Sequence, residues 1–123
     1  MYHLTVHSHF AAAHNLINYK GDCENLHGHN WKVEVTVSAR ELNTAGLGID
    51  FKILKKETNR VLDQLDHKYL NELGPFLQDS PSSENIARFL FDQLGQSLDD
   101  QNVTVEKVTV WESDYACASY TKD

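Results

Sequence analysis

Long apolar runs are missing from this 123-residue chain, and so is any excess of positive charge. No stretch approaches the roughly 20 apolar residues that a membrane-spanning helix needs. The opening residues, Met1-Tyr2-His3-Leu4-Thr5-Val6, lack the basic and apolar regions of a secretory signal. A cytoplasmic protein that does not enter a membrane is expected. Lys and Arg number 11 against 18 Asp and Glu, a net charge of −7. Nucleic acid is a poor partner for such a chain, because phosphate binding needs clustered Lys and Arg. A small phosphorylated ligand, held by a few local cations and a metal, remains compatible with it. The two cysteines, Cys23 and Cys117, are too few for a disulfide framework. Repeats, low-complexity tracts and linkers are absent too, so a single domain over residues 1–123 is expected. Histidine, by contrast, is abundant: there are 7, and all but His67 precede residue 30. That clustering suggests a metal.

The hydrophobic pattern predicts an α+β fold. Residues 2–10 read as a strand, and residues 31–38 as a clearer one. In the latter, Trp31, Val33, Val35 and Val37 alternate with Lys32, Glu34, Thr36 and Ser38, as in a sheet with one buried face. Asp50 is placed to cap a helix whose Phe51, Leu54, Val61, Leu62 and Leu65 share a face. Residues 66–80 read as a long connection, of a kind that is often functional in a small domain. A second helix follows, capped by Ser82 or Ser83, with Ile86, Phe89, Leu90 and Leu94 as its apolar stripe. Strands near 103–111 and 115–121 close the chain, joined through Glu112-Ser113-Asp114. The order is ββααββ: one antiparallel sheet with two helices on one face. Its open edges and polar outer face suggest closure by other subunits, and hence a homo-oligomer.

His27 and His29 flank Gly28 at i, i+2 spacing, which in extended backbone turns both rings to one side. His14, after Ala11-Ala12-Ala13, can converge on them from the end of the first strand. Three neutral imidazoles with one open position make the usual catalytic zinc site. Cys23, four residues before His27, permits two readings. It can complete a structural Cys-His3 site, or it can stay off the metal as a thiolate whose pKa the ion lowers. His7 and His9 also stand at i, i+2 but have no third partner, and they read with His3 as surface or oligomer-face residues. Asp66-His67 can be a proton relay. Adjacent side chains rarely hydrogen-bond, however, and helix-end capping by His67 is the simpler reading. Glu112 shares a strand face with Val108 and Val110, which carries it from the core to the rim. As a turn glutamate it can equally be plain solvated surface.

Six segments taken together are more specific than any one alone. They are Phe10-Ala11-Ala12-Ala13-His14, Cys23-Glu24-Asn25-Leu26-His27-Gly28-His29, Asp50-Phe51, Leu65-Asp66-His67, Ser82-Ser83-Glu84-Asn85 and Trp111-Glu112. In this order, spread from about residue 8 to residue 120, they resemble the 6-pyruvoyl-tetrahydropterin synthase and 6-carboxy-tetrahydropterin synthase family. The resemblance implies a T-fold, or tunnelling fold, in which three subunits join their sheets into a barrel and two trimers stack into a hexamer. It implies Zn2+ on His14, His27 and His29, Cys23 as proton-abstracting base, and His67 supported by Asp66 as relay. Glu112 would anchor the pterin, and the Ser82-Ser83-Glu84 turn, where relatives often carry threonine, would line the pocket from a neighbouring subunit. The implied substrate is 7,8-dihydroneopterin triphosphate. The cations holding its phosphates are not legible; Lys20 and Lys32 are candidates by position only.

The family has two outcomes. One keeps all three side-chain carbons as a pyruvoyl group. The other expels acetaldehyde as well and leaves a carboxylate, on the route to queuosine-type deazapurines in tRNA. The short chain without a visible N-terminal extension favours the carboxylate branch. A non-catalytic zinc-binding module is the alternative of a different class. The roles of His3, His7, His9 and Cys117 are not legible.

Overall fold

The computed structural model describes residues 1–17 and 25–123. Its elements are β1 (Tyr2–His14), β2 (His27–Ala39), α1 (Phe51–Leu62), β3 (Lys68–Tyr69), α2 (Ser83–Leu98), β4 (Val103–Ser113) and β5 (Ala116–Thr121). Two short 3-10 turns, Leu70–Glu72 and Gly74–Phe76, lie between β3 and α2. The sheet order is β3-β1-β2-β4-β5. The β1–β2, β2–β4 and β4–β5 pairs are antiparallel, whereas β3 runs parallel to β1 through Ala12–Lys68 and Ala13–Tyr69. The expected four-stranded antiparallel sheet is thus a five-stranded mixed one. Two residues are too short to register as an apolar period, so this edge strand leaves no signal in the sequence.

Alternation decides the faces. Trp31, Val33, Val35 and Val37 are fully buried beneath the helices, as are Val108 and Val110 of β4. On the opposite face His3, Thr5, His7 and His9 are exposed, and Thr5 bonds Thr36 across the ladder at 2.8 Å. Both helices cover the same side and touch each other. The Asp50 carboxylate accepts the Lys52 N–H at 2.8 Å to start α1. Ser82, rather than Ser83, caps α2 by accepting the Asn85 N–H at 3.1 Å. Ile86, Leu90 and Leu94 of α2 are buried as expected. Phe51 is 55% exposed, so the buried stripe of α1 begins at Leu54. No helix among the described residues is long and apolar enough to cross a membrane.

Both strands that carry histidines are longer than their apolar patterns. β1 runs on to His14, and β2 begins at His27. Strand pairing, not hydrophobic alternation, holds these polar ends in the sheet. His14, His27 and His29 therefore sit on the ladder and not in a loop.

Candidate metal centre

In the β1–β2 ladder His14 faces His27, and Ala12 faces His29. His14, His27, His29, Ala12, Phe10 and Trp31 occupy the same face by parity, so the apolar surface of the sheet ends in a patch of imidazoles. The Trp31 ring forms its floor, edge-on to His14 at 4.9 Å and to His29 at 5.2 Å between centroids. Its Nε1–H donates to the Ala12 carbonyl at 3.3 Å, so the indole is itself held. β4 brings Glu112 to the same rim, two residues beyond the buried Val110. One ligand atom from each of His14, His27, His29 and Glu112 lies within 4.8 Å of every other.

The rings are prepared to accept a cation. His14 Nδ1 lies 2.7 Å from the Pro81 carbonyl, and His27 Nδ1 lies 2.6 Å from the Asn25 carbonyl. A carbonyl only accepts, so each Nδ1 carries the proton and the neutral ring keeps its lone pair on Nε2. Burial holds the His14 and His29 rings below the ordinary histidine pKa of 6.5. Among the described residues both Nε2 atoms are buried without a hydrogen-bond partner. Buried polar atoms left unpaired are costly, and here both lie in one cluster of possible metal ligands. A divalent metal ion fits this donor set, and three imidazoles suit zinc.

The long connection before α2 serves this centre. Ser80 accepts the Ile17 N–H at 2.7 Å, Asn71 accepts the Asn15 N–H at 3.0 Å, and Tyr69 bonds Asn15. These contacts pin the chain just after His14 and bring the Pro81 carbonyl under its ring.

Asp66 and His67 differ from the simpler expectation. α1 ends at Leu62, so His67 caps no helix. Its backbone is left-handed, at φ 58°, and its N–H bonds the Ala11 carbonyl at 2.6 Å. That conformation folds the ring back, so His67 Nδ1 reaches Asp66 Oδ1 at 3.0 Å despite their adjacency. The same carboxylate oxygen accepts the Ala11 N–H at 2.9 Å. Those two donors, the Ala11 amide foremost, hold Asp66 below the ordinary value of 3.8. Its contribution to stability is therefore present above that value and is lost as pH falls through the lower folded one. Asp66→Asn should lower the melting temperature at pH 7, and the gap to wild type should close on acidification below pH 3.8. A gap independent of pH would show that the charge is not what matters.

Ser82 and Ser83 stand beside the centre within one chain, because the N-terminus of α2 stands over the end of β4. The Ser83 hydroxyl donates to Glu112 Oε2 at 3.5 Å. With Leu16, Glu84, His14, His27 and Glu112, the two serines line a cavity of about 140 Å³. A second cavity of about 290 Å³ shares Ser83, Glu84 and Glu112 and continues along Ala116, Cys117 and Ala118. Glu84 belongs to the Ser82-Ser83-Glu84 turn that was expected to line the pocket, whereas Leu16 is a wall residue that sequence reasoning assigned no role. Glu112 lies within β4 and not in the following turn. Lys32 points to the other face, 3.8 Å from Glu34 and over the Trp111 ring at 4.6 Å. Cys23 and Lys20 lie outside the described residues.

Fold and site together define a metal-binding α+β protein with a three-histidine and carboxylate centre on a sheet rim. A family model described as 6-pyruvoyl tetrahydropterin synthase matches residues 3–123, and the chain belongs to that family. It is accordingly an enzyme, a lyase by family. It is similar to a 6-carboxy-5,6,7,8-tetrahydropterin synthase of Synechocystis sp., 38% identical over 94 residues that cover 72% of this chain and 70% of the relative. The same-named protein of Haemophilus influenzae is 30% identical over 134 residues, covering 90% and 92%. Among solved structures, the 6-pyruvoyl tetrahydropterin synthase of Caenorhabditis elegans superposes with a TM-score of 0.86 at 29% identity, covering 99% of this chain and 96% of that one.

Proposed function

We propose that the protein is a zinc-dependent 6-carboxy-5,6,7,8-tetrahydropterin synthase. It would convert 7,8-dihydroneopterin triphosphate and water into 6-carboxy-5,6,7,8-tetrahydropterin, acetaldehyde and triphosphate, on the route to deazapurine-modified tRNA. The observation that carries this reading is the convergence of three Nε2 atoms, those of His14 and His27 freed of the proton by their Nδ1–carbonyl bonds, beside a cavity walled by Glu112. The bacterial relatives named for the carboxylate product support that branch over the pyruvoyl one. The β3 and β5 edges of the sheet are compatible with subunits joining into trimers and a hexamer.

His14, His27 and His29 would hold the zinc. When bound, it supplies Lewis acidity toward the two side-chain hydroxyls and toward charge developing beside them. Cys23 takes the proton from the neighbouring carbon as a thiolate. His67, with Nδ1 committed to Asp66, has Nε2 left to return a proton, and two groups dividing the work need distinct pKa values. Glu112 offers two acceptor oxygens to a ring N–H and the amino group, a bidentate match. Ser82 and Ser83 line the same cavity.

Glu112→Gln should weaken pterin binding at least about tenfold, because a charge-assisted hydrogen bond of about 1.5–3 kcal/mol is replaced by an amide presenting a donor. Unchanged affinity in a titration would mean that Glu112 does not anchor the ring. The reaction itself is tested by product analysis. Given 7,8-dihydroneopterin triphosphate, zinc-loaded protein should release triphosphate and acetaldehyde and form the six-carboxy product, identified by mass. Retention of all three side-chain carbons would replace the carboxylate branch by the pyruvoyl one. No turnover would count against this reaction altogether.

A further inference from the structure

The position of the Glu112 carboxylate does not fit a residue that only waits for a ring. Its Oε1 stands 3.6 Å from His14 Nε2, 3.8 Å from His27 Nε2 and 3.0 Å from His29 Nε2. A tetrahedral zinc with bonds of about 2.0–2.1 Å has ligand-to-ligand edges of roughly 3.3 Å. The three distances scatter about that edge, so Oε1 stands where a fourth ligand to a metal held by the three imidazoles would stand.

Hydrogen bonding does not account for this placement. His14 and His27 keep their protons on Nδ1, so their Nε2 lone pairs face a carboxylate oxygen, acceptor against acceptor. His29 Nε2, although 3.0 Å from Oε1, has no hydrogen-bond partner among the described residues. Acceptors converging on an acceptor repel unless a cation lies among them. The same carboxylate is free to move. Its side chain is 36% exposed, its Oε2 is held among the described residues only by the long Ser83 contact of 3.5 Å, and it forms a wall of each of the two cavities.

We propose that Glu112 is a two-position carboxylate. In the substrate-free protein it closes the fourth position on the metal, and on substrate entry it leaves that position to grip the ring. The larger cavity, about 290 Å³, receives the ring, while the metal side opens for side-chain oxygens. Ring recognition would thereby uncover the metal, so a ligand lacking the ring would meet a closed centre. This rests on the metal and ring roles proposed above.

The test uses the cobalt(II)-loaded protein, whose visible absorption reports the donor set, with 7,8-dihydropterin as the ligand, since it carries the ring without side-chain hydroxyls. In the absence of pterin, Glu112→Gln should alter the cobalt spectrum and lower zinc affinity about 10- to 100-fold in chelator competition. Dihydropterin should then shift the wild-type spectrum toward that of the variant. Equal zinc affinity and identical spectra would overturn the ligand position. The wild-type titration needs no variant to fold. Saturable ring binding with an unchanged cobalt spectrum would overturn the exchange while leaving the pterin reading intact. Absence of any ring binding would overturn the exchange together with that reading.

Discussion

His14→Ala should emerge from purification nearly free of zinc, with affinity reduced by at least about 100-fold. Loss of a coordinating imidazole exceeds the 10- to 100-fold typical of an outer partner. His27→Ala and His29→Ala should behave alike, because all three Nε2 atoms face one point. Zinc per chain, measured by elemental analysis after brief chelator exposure, decides this. Full occupancy in all three variants would remove the centre from these residues. His14→Ala carries a second cost that His27→Ala avoids. His14 is 2% exposed, and its loss opens a cavity and strands the Pro81 carbonyl. Metal-free His14→Ala should therefore melt below metal-free wild type by more than His27→Ala does. His7→Ala, with its ring exposed on the opposite face, should keep both zinc and stability.

Cys23→Ala should keep its zinc and its fold and lose activity by about 10²- to 10⁴-fold, the range spanned by a positioned general base. Among the described residues, His14, His27, His29 and Glu112 already offer four ligand atoms within 4.8 Å of one another. Turnover of 7,8-dihydroneopterin triphosphate and zinc content are measured on the same preparation. Loss of zinc with unfolding would instead make Cys23 a fourth ligand and the protein a structural zinc module. Cys117→Ala is the comparison, and it should have a mild effect on zinc and fold.

Much of the frame was legible because it rests on local periodicity. The alternation from Trp31 to Val37 set a buried face, and Asp50 and Ser82 marked helix starts through side-chain oxygens that accept early N–H groups. The errors fall where local pattern is silent. Phe51 matched the helical period yet faces solvent, because a period gives a stripe's direction but not its length. β3 exists only because two backbone groups find β1, which no side-chain pattern announces. The Asp66–His67 contact contradicted a sound general rule, and only the left-handed backbone at His67 makes it possible.

For this protein, the sequence alone pointed to a metal through His14, His27 and His29, whose number and spacing can bring three imidazoles together before any distance is known. Asp66, His67 and Glu112 took roles only through the family resemblance. Sequence could not determine which nitrogen of the His14 and His27 rings is left free to accept a metal. That depends on the Pro81 and Asn25 carbonyls, which look the same in every residue and acquire a role only by position. Nor could it show that Ser83 and Glu112 meet within one chain. That contact joins residues 29 positions apart across a helix and a strand, and strand order and helix placement, not residue type, bring them together.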